Sequence, residues 1–251
     1  MSNTLGTLLV TGGSRGIGAA ICRLGARQGY AVAVNYHSHQ PAAQALVDEI
    51  QQSGGRATAI RGDIGRESDI LALFERAEEQ LGPLTALVNN AAITGGFARV
   101  ESVDAAMLER LMAVNVTGAL LCAREAVRRL STARGGKGGA IVNISSRAAK
   151  LGSPGEWVHY AMTKGAIDTL TVGLAREVAQ EGIRVNAVAP GLVQTDIHTE
   201  AGEPGRPSRL AQTIPLGRAG TPEEIAEGVI WLLSPASSYV TGSVLAIGGG
   251  R

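Results

Sequence analysis

Short apolar runs alternate with amphipathic segments along the whole of this chain, and the alternation limits what it can fold into. Thr7-Leu8-Leu9-Val10, Ala31-Val32-Ala33-Val34, Thr58-Ala59-Ile60, Ala86-Leu87-Val88, Ile141-Val142-Asn143-Ile144, Ile183 to Val188 and Val244-Leu245-Ala246-Ile247 read as buried strands. Between them lie segments with helical spacing: Gly16 to Gln28, Ala42 to Ser53, Ser68 to Leu81, Asp104 to Leu130, Trp157 to Gln180 and Pro222 to Leu233. In the first, Ile17, Ala20, Ile21 and Leu24 share a face; in the third, Ile70, Leu71, Phe74 and Ala77 do. Gly54-Gly55 ends the second helix, and Ser131 to Gly139 reads as a loop. Strands separated by helices of this length imply a parallel sheet covered on both faces. The expectation is an α/β fold with a doubly wound, seven-stranded parallel sheet. No linker breaks the pattern, so residues 1–251 are expected to form one domain.

Apolar residues make up 45% of the 251, enough for a sizeable core, and the net charge of +1 offers no field for a nucleic acid backbone or an anionic membrane. Two cysteines, Cys22 and Cys122, fall in apolar helical patterns and are expected as buried free thiols, not as a disulfide framework. Met1 to Leu9 lacks the pattern of a signal peptide, and no membrane-spanning stretch is expected, so the chain is read as cytoplasmic.

Thr11-Gly12-Gly13-Ser14-Arg15-Gly16-Ile17-Gly18 lies between the first strand and the first helix. In that place a glycine-rich turn is a dinucleotide site: glycine lets the backbone approach a pyrophosphate, and the helix N-terminus offers unpaired N–H groups and a positive dipole end. The spacing is G-x-x-x-G-x-G. After the second strand the chain reads Asn35-Tyr36-His37, with no acid to bind a ribose 2′-hydroxyl and repel a 2′-phosphate. Arg15 is a partner for that phosphate, or else a solvated loop cation. NADP(H) is favoured on this charge argument, with NAD(H) as the second choice.

Tyr160 and Lys164 are four apart, so in a helix they share a face. A phenol loses its proton near about pH 10, and a cation close by lowers that value. Such a tyrosine can exchange a proton with an alcohol or ketone. Asn115 lies among Leu111, Met112, Val114, Val116, Ala119 and Leu120, where a buried amide must be hydrogen-bonded.

Taken in order, Gly12, Gly16 and Gly18, Asp63-Ile64, Asn89-Asn90-Ala91, Asn115, Ser146, Tyr160 with Lys164, and Pro190-Gly191 with Thr195 resemble the short-chain dehydrogenase/reductase family over essentially the whole chain. Among its members the chain is similar to bacterial 3-oxoacyl-carrier-protein reductases and glucose dehydrogenase-like reductases. The resemblance implies a Rossmann fold and a catalytic set of Asn115, Ser146, Tyr160 and Lys164. Tyr160 would be the general acid/base, Lys164 would lower its pKa and hold the nicotinamide ribose, and Ser146 would hydrogen-bond the substrate oxygen. Ser145 is the competing serine, read as a strand-end cap. Asn115 would sit at a helix irregularity holding a water that links Lys164 to solvent; the alternative is a core amide satisfied by backbone. The cofactor would lie against Gly12, Ser14, Arg15, Gly16, Ile17 and Gly18, then Asn35, Tyr36 and His37, Asp63 and Ile64, Asn89 and Ala91, Tyr160 and Lys164, and Pro190, Gly191, Val193 and Thr195. Asp63 would bind the adenine amino group, Asn89 would sit beside the ribose, and Thr195 would meet the carboxamide or else cap a helix. The chain departs from the family's Asn-Asn-Ala-Gly by carrying Ala92, which narrows the pocket or shifts the cofactor.

Residues 194–219, rich in glycine and proline, read as a lid over the pocket. Arg206 and Arg209 are read there as solvated cations, and His159 and Trp157 as pocket-lining. The expected function is hydride transfer between NADP(H) and a small carbonyl or secondary alcohol, without a metal, in a homo-oligomer of the family's tetrameric kind. The competing expectation is a catalytically silent cofactor-binding sensor or scaffold.

Overall fold

In the computed structural model, residues 5–251 are described; residues 1–4, part of the stretch searched for a signal peptide, lie outside the described residues. The strands are β1 (Thr7–Val10), β2 (Ala31–Tyr36), β3 (Arg56–Arg61), β4 (Leu84–Asn89), β5 (Gly139–Ile144), β6 (Ile183–Pro190) and β7 (Val244–Ile247). The helices are α1 (Gly16–Arg27), α2 (Gln40–Gln52), α3 (Glu67–Leu81), α4 (Ala105–Met112), α5 (Ala119–Leu130), the short α6 (Ala148–Leu151), α7 (Val158–Val178), the short α8 (Ile197–Glu200) and α9 (Arg206–Leu210), and α10 (Pro222–Leu233). One sheet runs β3-β2-β1-β4-β5-β6-β7, every neighbouring pair parallel. This is the doubly wound Rossmann arrangement, and the winding reverses between β1 and β4.

The strands are apolar throughout because alternate side chains enter two different cores. Leu8, Val10, Val32, Val34 and Val142 pack under α1, α2 and α10, with Ile21, Leu46, Ile50, Ile225 and Val229. Leu9, Ala33, Leu87, Ile141 and Val185 pack under α3, α5 and α7, with Ile70, Leu73, Phe74, Ala126 and Val178. Each fully buried large side chain contributes about 1.5–3 kcal/mol. Cys22 and Cys122 are buried free thiols, as expected, and burial pushes both well above the ordinary thiol range.

The expected single helix from Asp104 to Leu130 is interrupted. Between α4 and α5, Ala113–Gly118 is π-helical, with Asn115 buried in it. The same run, Ala105–Leu130, is long and apolar enough to cross a membrane by length and composition, with an 18-residue window of mean hydropathy 1.4, a test that the core helix of a soluble fold also passes. In this fold its Leu111, Cys122, Ala126 and Leu130 are buried in the protein interior.

Candidate active site

A cavity of about 840 Å³ opens along the carboxyl edge of the sheet, lined by residues that follow β1 through β6. It spans the switch point between β1 and β4, where such folds take their ligands. All the residues expected to touch a cofactor line it except Asn89.

At one end is the glycine turn. Gly12 has φ +60, and a Cβ there would stand 2.9 Å from the Ala91 Cα. A Cβ on Gly18 would stand 2.4 Å from the Gly12 carbonyl oxygen, so both positions need the missing side chain. The first turn of α1 carries no acidic residue, leaving its N–H groups and dipole open to an anion. Arg15 precedes it, with Nη1 3.9 Å from Asp196 Oδ2. Thr195 sits over Gly16, where a Cβ would lie 3.3 Å from its Cγ2, and makes no cap to α8.

Asn35 is turned to bracing. Its Oδ1 accepts from Gly12 N (3.1 Å), and its Nδ2 donates to the carbonyls of Ile60 (3.3 Å) and Gly62 (3.0 Å). Tyr36 and His37 line the cavity beside it, with no carboxylate at the end of β2. Asp63 Oδ1 accepts from Arg110 (2.9 Å) and from Gly65 N (2.9 Å), and His37 Nε2 lies 3.8 Å from Oδ2. Burial pushes the Asp63 carboxyl up, but the Arg110 hydrogen bond, the Gly65 N–H and the Arg110 and His37 charges together hold it below its usual value.

Asn89 corrects the expectation of a ribose contact. Its Nδ2 donates to Ala119 O (3.1 Å) and to Asn143 Oδ1 (3.0 Å), away from the cavity. Side chains alternate along a strand, so the last residue of β4 turns into the helical layer and its successor turns toward the ligand. Asn90 takes that place and donates to the carbonyls of Thr11 (2.9 Å) and Gly12 (3.0 Å). Ala92 also lines the cavity, and among described non-glycine residues only Ser153 has a positive φ. The family's glycine is therefore not needed there for conformation, and Ala92 lends no support to a silent binding protein.

At the other end, Tyr160 and Lys164 are buried one turn apart on α7, and Ser146 stands opposite them after β5. Burial pushes the Tyr160 phenol up to about 12, against a hydrogen bond with the Ser146 side chain that lowers it. Burial pulls Lys164 down to about 8, against the charge of Asp168, which raises it. The expectation that Lys164 depresses the phenol is thus corrected. Nζ donates to Ile144 O (2.7 Å) and lies 5.5 Å from the Tyr160 ring centroid, over the ring and tied to a carbonyl. Desolvation outweighs attraction for both groups.

Asn115 is satisfied by backbone and by α7. Its Oδ1 accepts from Ile93 N (2.9 Å); its Nδ2 donates to Ile93 O (2.8 Å) and to Thr163 Oγ1 (3.1 Å). Thr163 Oγ1 donates in turn to the Tyr160 carbonyl (2.8 Å). The expected helix irregularity is present at Asn115, and its amide is paired with the Ile93 backbone and Thr163. Ser145 is no strand-end cap: its Oγ donates to Asp168 Oδ1 (2.5 Å) and to the Lys164 carbonyl (3.4 Å). Asp168 was not anticipated, although Tyr160, Lys164 and Asp168 at i, i+4 and i+8 lie on one helical face.

Beyond Tyr160 the cavity is walled by Trp157, which stacks on Phe97 (4.6 Å between centroids, 20° between planes) and meets Tyr160 edge-on (6.0 Å). His159 faces away, its Nε2 within hydrogen-bond distance of the carbonyls of Thr94 (3.0 Å) and Gly96 (3.2 Å). The solvated-cation expectation holds for Arg209, exposed and paired with Glu203, and fails for Arg206. Arg206 is 7% exposed, donates to Glu156 (2.5 Å) and lies 4.5 Å over the Trp157 ring. A loop arginine reads as solvated in sequence because the partners that bury it, Glu156 and the Trp157 and Phe97 rings, belong to distant parts of the chain, Glu156 lying 50 residues away. Among the described residues no group of three or more His, Cys, Asp or Glu is placed to hold a metal ion.

The profile of the family described as enoyl-(acyl carrier protein) reductase matches residues 12–251. An uncharacterized oxidoreductase of Escherichia coli, YgfF, is 51% identical over 243 residues, covering 97% of this chain and 98% of that protein. A dehydrogenase/reductase from Sinorhizobium meliloti superposes with a TM-score of 0.91 at 39% identity, over 99% of this chain and 96% of that one. A blue fluorescent protein from a metagenomic library, solved in complex with NADPH, superposes with a TM-score of 0.90 at 35% identity, over 100% of this chain and 99% of that one.

Proposed function

The chain belongs to the short-chain dehydrogenase/reductase family and is an NAD(P)(H)-using oxidoreductase acting on CH–OH or C=O groups, and from that premise we propose that it works with NADP(H) and that Tyr160 handles the proton of its substrate. The observation that carries this is one cavity with a glycine turn at one end and, at the other, Tyr160, Ser146 and Lys164 lining it together, Lys164 one turn from Tyr160.

The turn fits the dinucleotide, since Gly12 and Gly18 leave no room for a Cβ and the start of α1 holds no competing acid. Gly12, Ser14, Arg15, Gly16, Ile17 and Gly18 would hold the phosphates, Asp63, Ile64 and Ala91 the adenosine, and Pro190, Gly191, Val193 and Thr195 the nicotinamide. When bound, NADP(H) supplies or takes the hydride at the substrate carbon. Arg15, with Tyr36 and His37 in place of a carboxylate, favours the 2′-phosphate. The solved NADPH complex of a relative supports this choice.

Ser146 donates to the substrate oxygen, and the Tyr160 hydroxyl gives that oxygen its proton in reduction or takes it in oxidation. A phenol held near about 12 keeps its proton at neutral pH, which suits the reducing direction. Lys164 stays over the Tyr160 ring through Ile144, and Asn115 fixes that turn of α7 through Thr163. Residues 194–219 are the lid of the single 1–251 domain. The molecule assembles as a homotetramer in the cytoplasm, a compartment that suits its two free thiols.

The test is an NADPH- and NADH-linked screen over ketones, aldehydes, sugars and thioester ketoacids, run on the wild type and on Tyr160→Phe. Turnover should be faster with NADPH and fall by about a hundredfold or more in Tyr160→Phe, with NADPH binding kept. Full activity in the variant would overturn the mechanism, and equal rates with NADH the cofactor choice.

A further inference from the structure

The segment 194–219 is pinned at both roots. Val193 bridges to Gly220, Gln194 N donates to Gly220 O (2.9 Å), and Leu192, Ile214 and Ala219 form a small core with Leu210. The tip between these roots is different: among the described side chains from 194 to 210, Arg206 alone is buried. What buries it belongs to the body of the protein. Its Nη2 is bonded to Glu156 (2.5 Å), and its guanidinium lies 4.5 Å from the Trp157 ring centroid and 6.0 Å from that of Phe97. Glu203, on the tip itself, adds a weaker partner at 3.9 Å. Trp157 in turn rests edge-on against Tyr160.

Among the described side chains of the tip, Arg206 supplies the buried contact to the body of the protein. A guanidinium stacked on indole and paired with a carboxylate holds well, yet water takes it back readily on release. We infer that Arg206 is the latch of the lid: seated between Glu156 and Trp157 it closes the substrate end of the cavity and presses Trp157 toward Tyr160, and unseated it opens that end and uncovers Trp157. It is a positioning residue, acting through Trp157. The inference rests on the lid proposed above and is independent of the proton chemistry assigned to Tyr160.

The chain has two tryptophans, Trp157 and the partly exposed Trp231 on α10. In a Trp231→Phe background, Trp157 alone reports on the latch through quenching by acrylamide. Arg206→Ala should raise the quenching constant several-fold, with Glu156→Gln and Arg206→Lys between it and the parent, since a lysine keeps the charge and loses the planar stack. The Arg206→Ala/Glu156→Gln double variant should go no further than Arg206→Ala, because the two groups act as one contact. NADPH affinity should stay at the parent value in every variant. Unchanged quenching in Arg206→Ala, additive effects in the double variant, or a loss of NADPH affinity equal to the gain in quenching would overturn the latch. Should Arg206→Ala fail to fold by circular dichroism, Glu156→Gln carries the test, and unchanged quenching there overturns it. Turnover in Tyr160→Phe bears on the acid/base assignment and leaves these outcomes untouched, so the two proposals fail separately.

Discussion

Lys164 is a residue whose charge the fold resists. An ammonium sealed beneath Tyr160 and bonded to one carbonyl gives up its proton near about 8, where the unfolded chain holds it to 10.5. Between those values the unfolded state binds more protons, so folding gains stability as pH rises through the interval and loses it again as pH falls through about 8. The unfolding free energy of the wild type minus that of Lys164→Met should therefore climb from about pH 8 to about pH 10.5, read by denaturant titration across that range. A difference that stays flat would mean that the lysine is not desolvated as described. The phenol above it moves the opposite way, held protonated by the same burial. The pairing of Tyr160 and Lys164 was legible as a spacing of four. That both would be dominated by desolvation was not, because spacing along one helix says nothing of the β5 carbonyl and the cavity wall that close around it.

At the scale of elements, the π-helical turn between α4 and α5 couples two parts of the site. It places Asn115 where it grips both backbone groups of Ile93 after β4 and, through Thr163, the turn of α7 that carries Tyr160. Asn115→Ala leaves buried partners unpaired, which should cost about 1–3 kcal/mol of stability. It should also lower kcat while sparing NADPH affinity, as measured by denaturation, steady-state kinetics and a fluorescence titration. Unchanged kcat would confine Asn115 to a structural role. The register of such an irregularity is a property of two packed elements. The amide among apolar neighbours marked a buried polar site in sequence, but its partners are 22 and 48 residues away.

At the scale of the whole molecule, Leu120 on α5 and Met162 on α7 are half exposed on elements that otherwise serve the core. Covering them is one task of the proposed tetramer. Sedimentation should give a tetrameric mass for the wild type and a smaller one for Leu120→Glu/Met162→Glu, and a monomeric wild type would refute the assembly. Along the chain, two-faced apolar strands joined by amphipathic helices leave a parallel sheet with two cores as the stable solution. A glycine turn at the first strand–helix junction then places an anion site at the sheet's switch point. Sequence by itself determined these features, since hydrophobic period and backbone freedom are local. Tertiary structure alone decided that Asn89 braces β5 while Asn90 takes the cavity edge, that Ser145 serves Asp168, and that Arg206 is buried on Trp157. Each of those depends on a partner distant in the chain, and the energy of a buried polar group is set by what surrounds it in space.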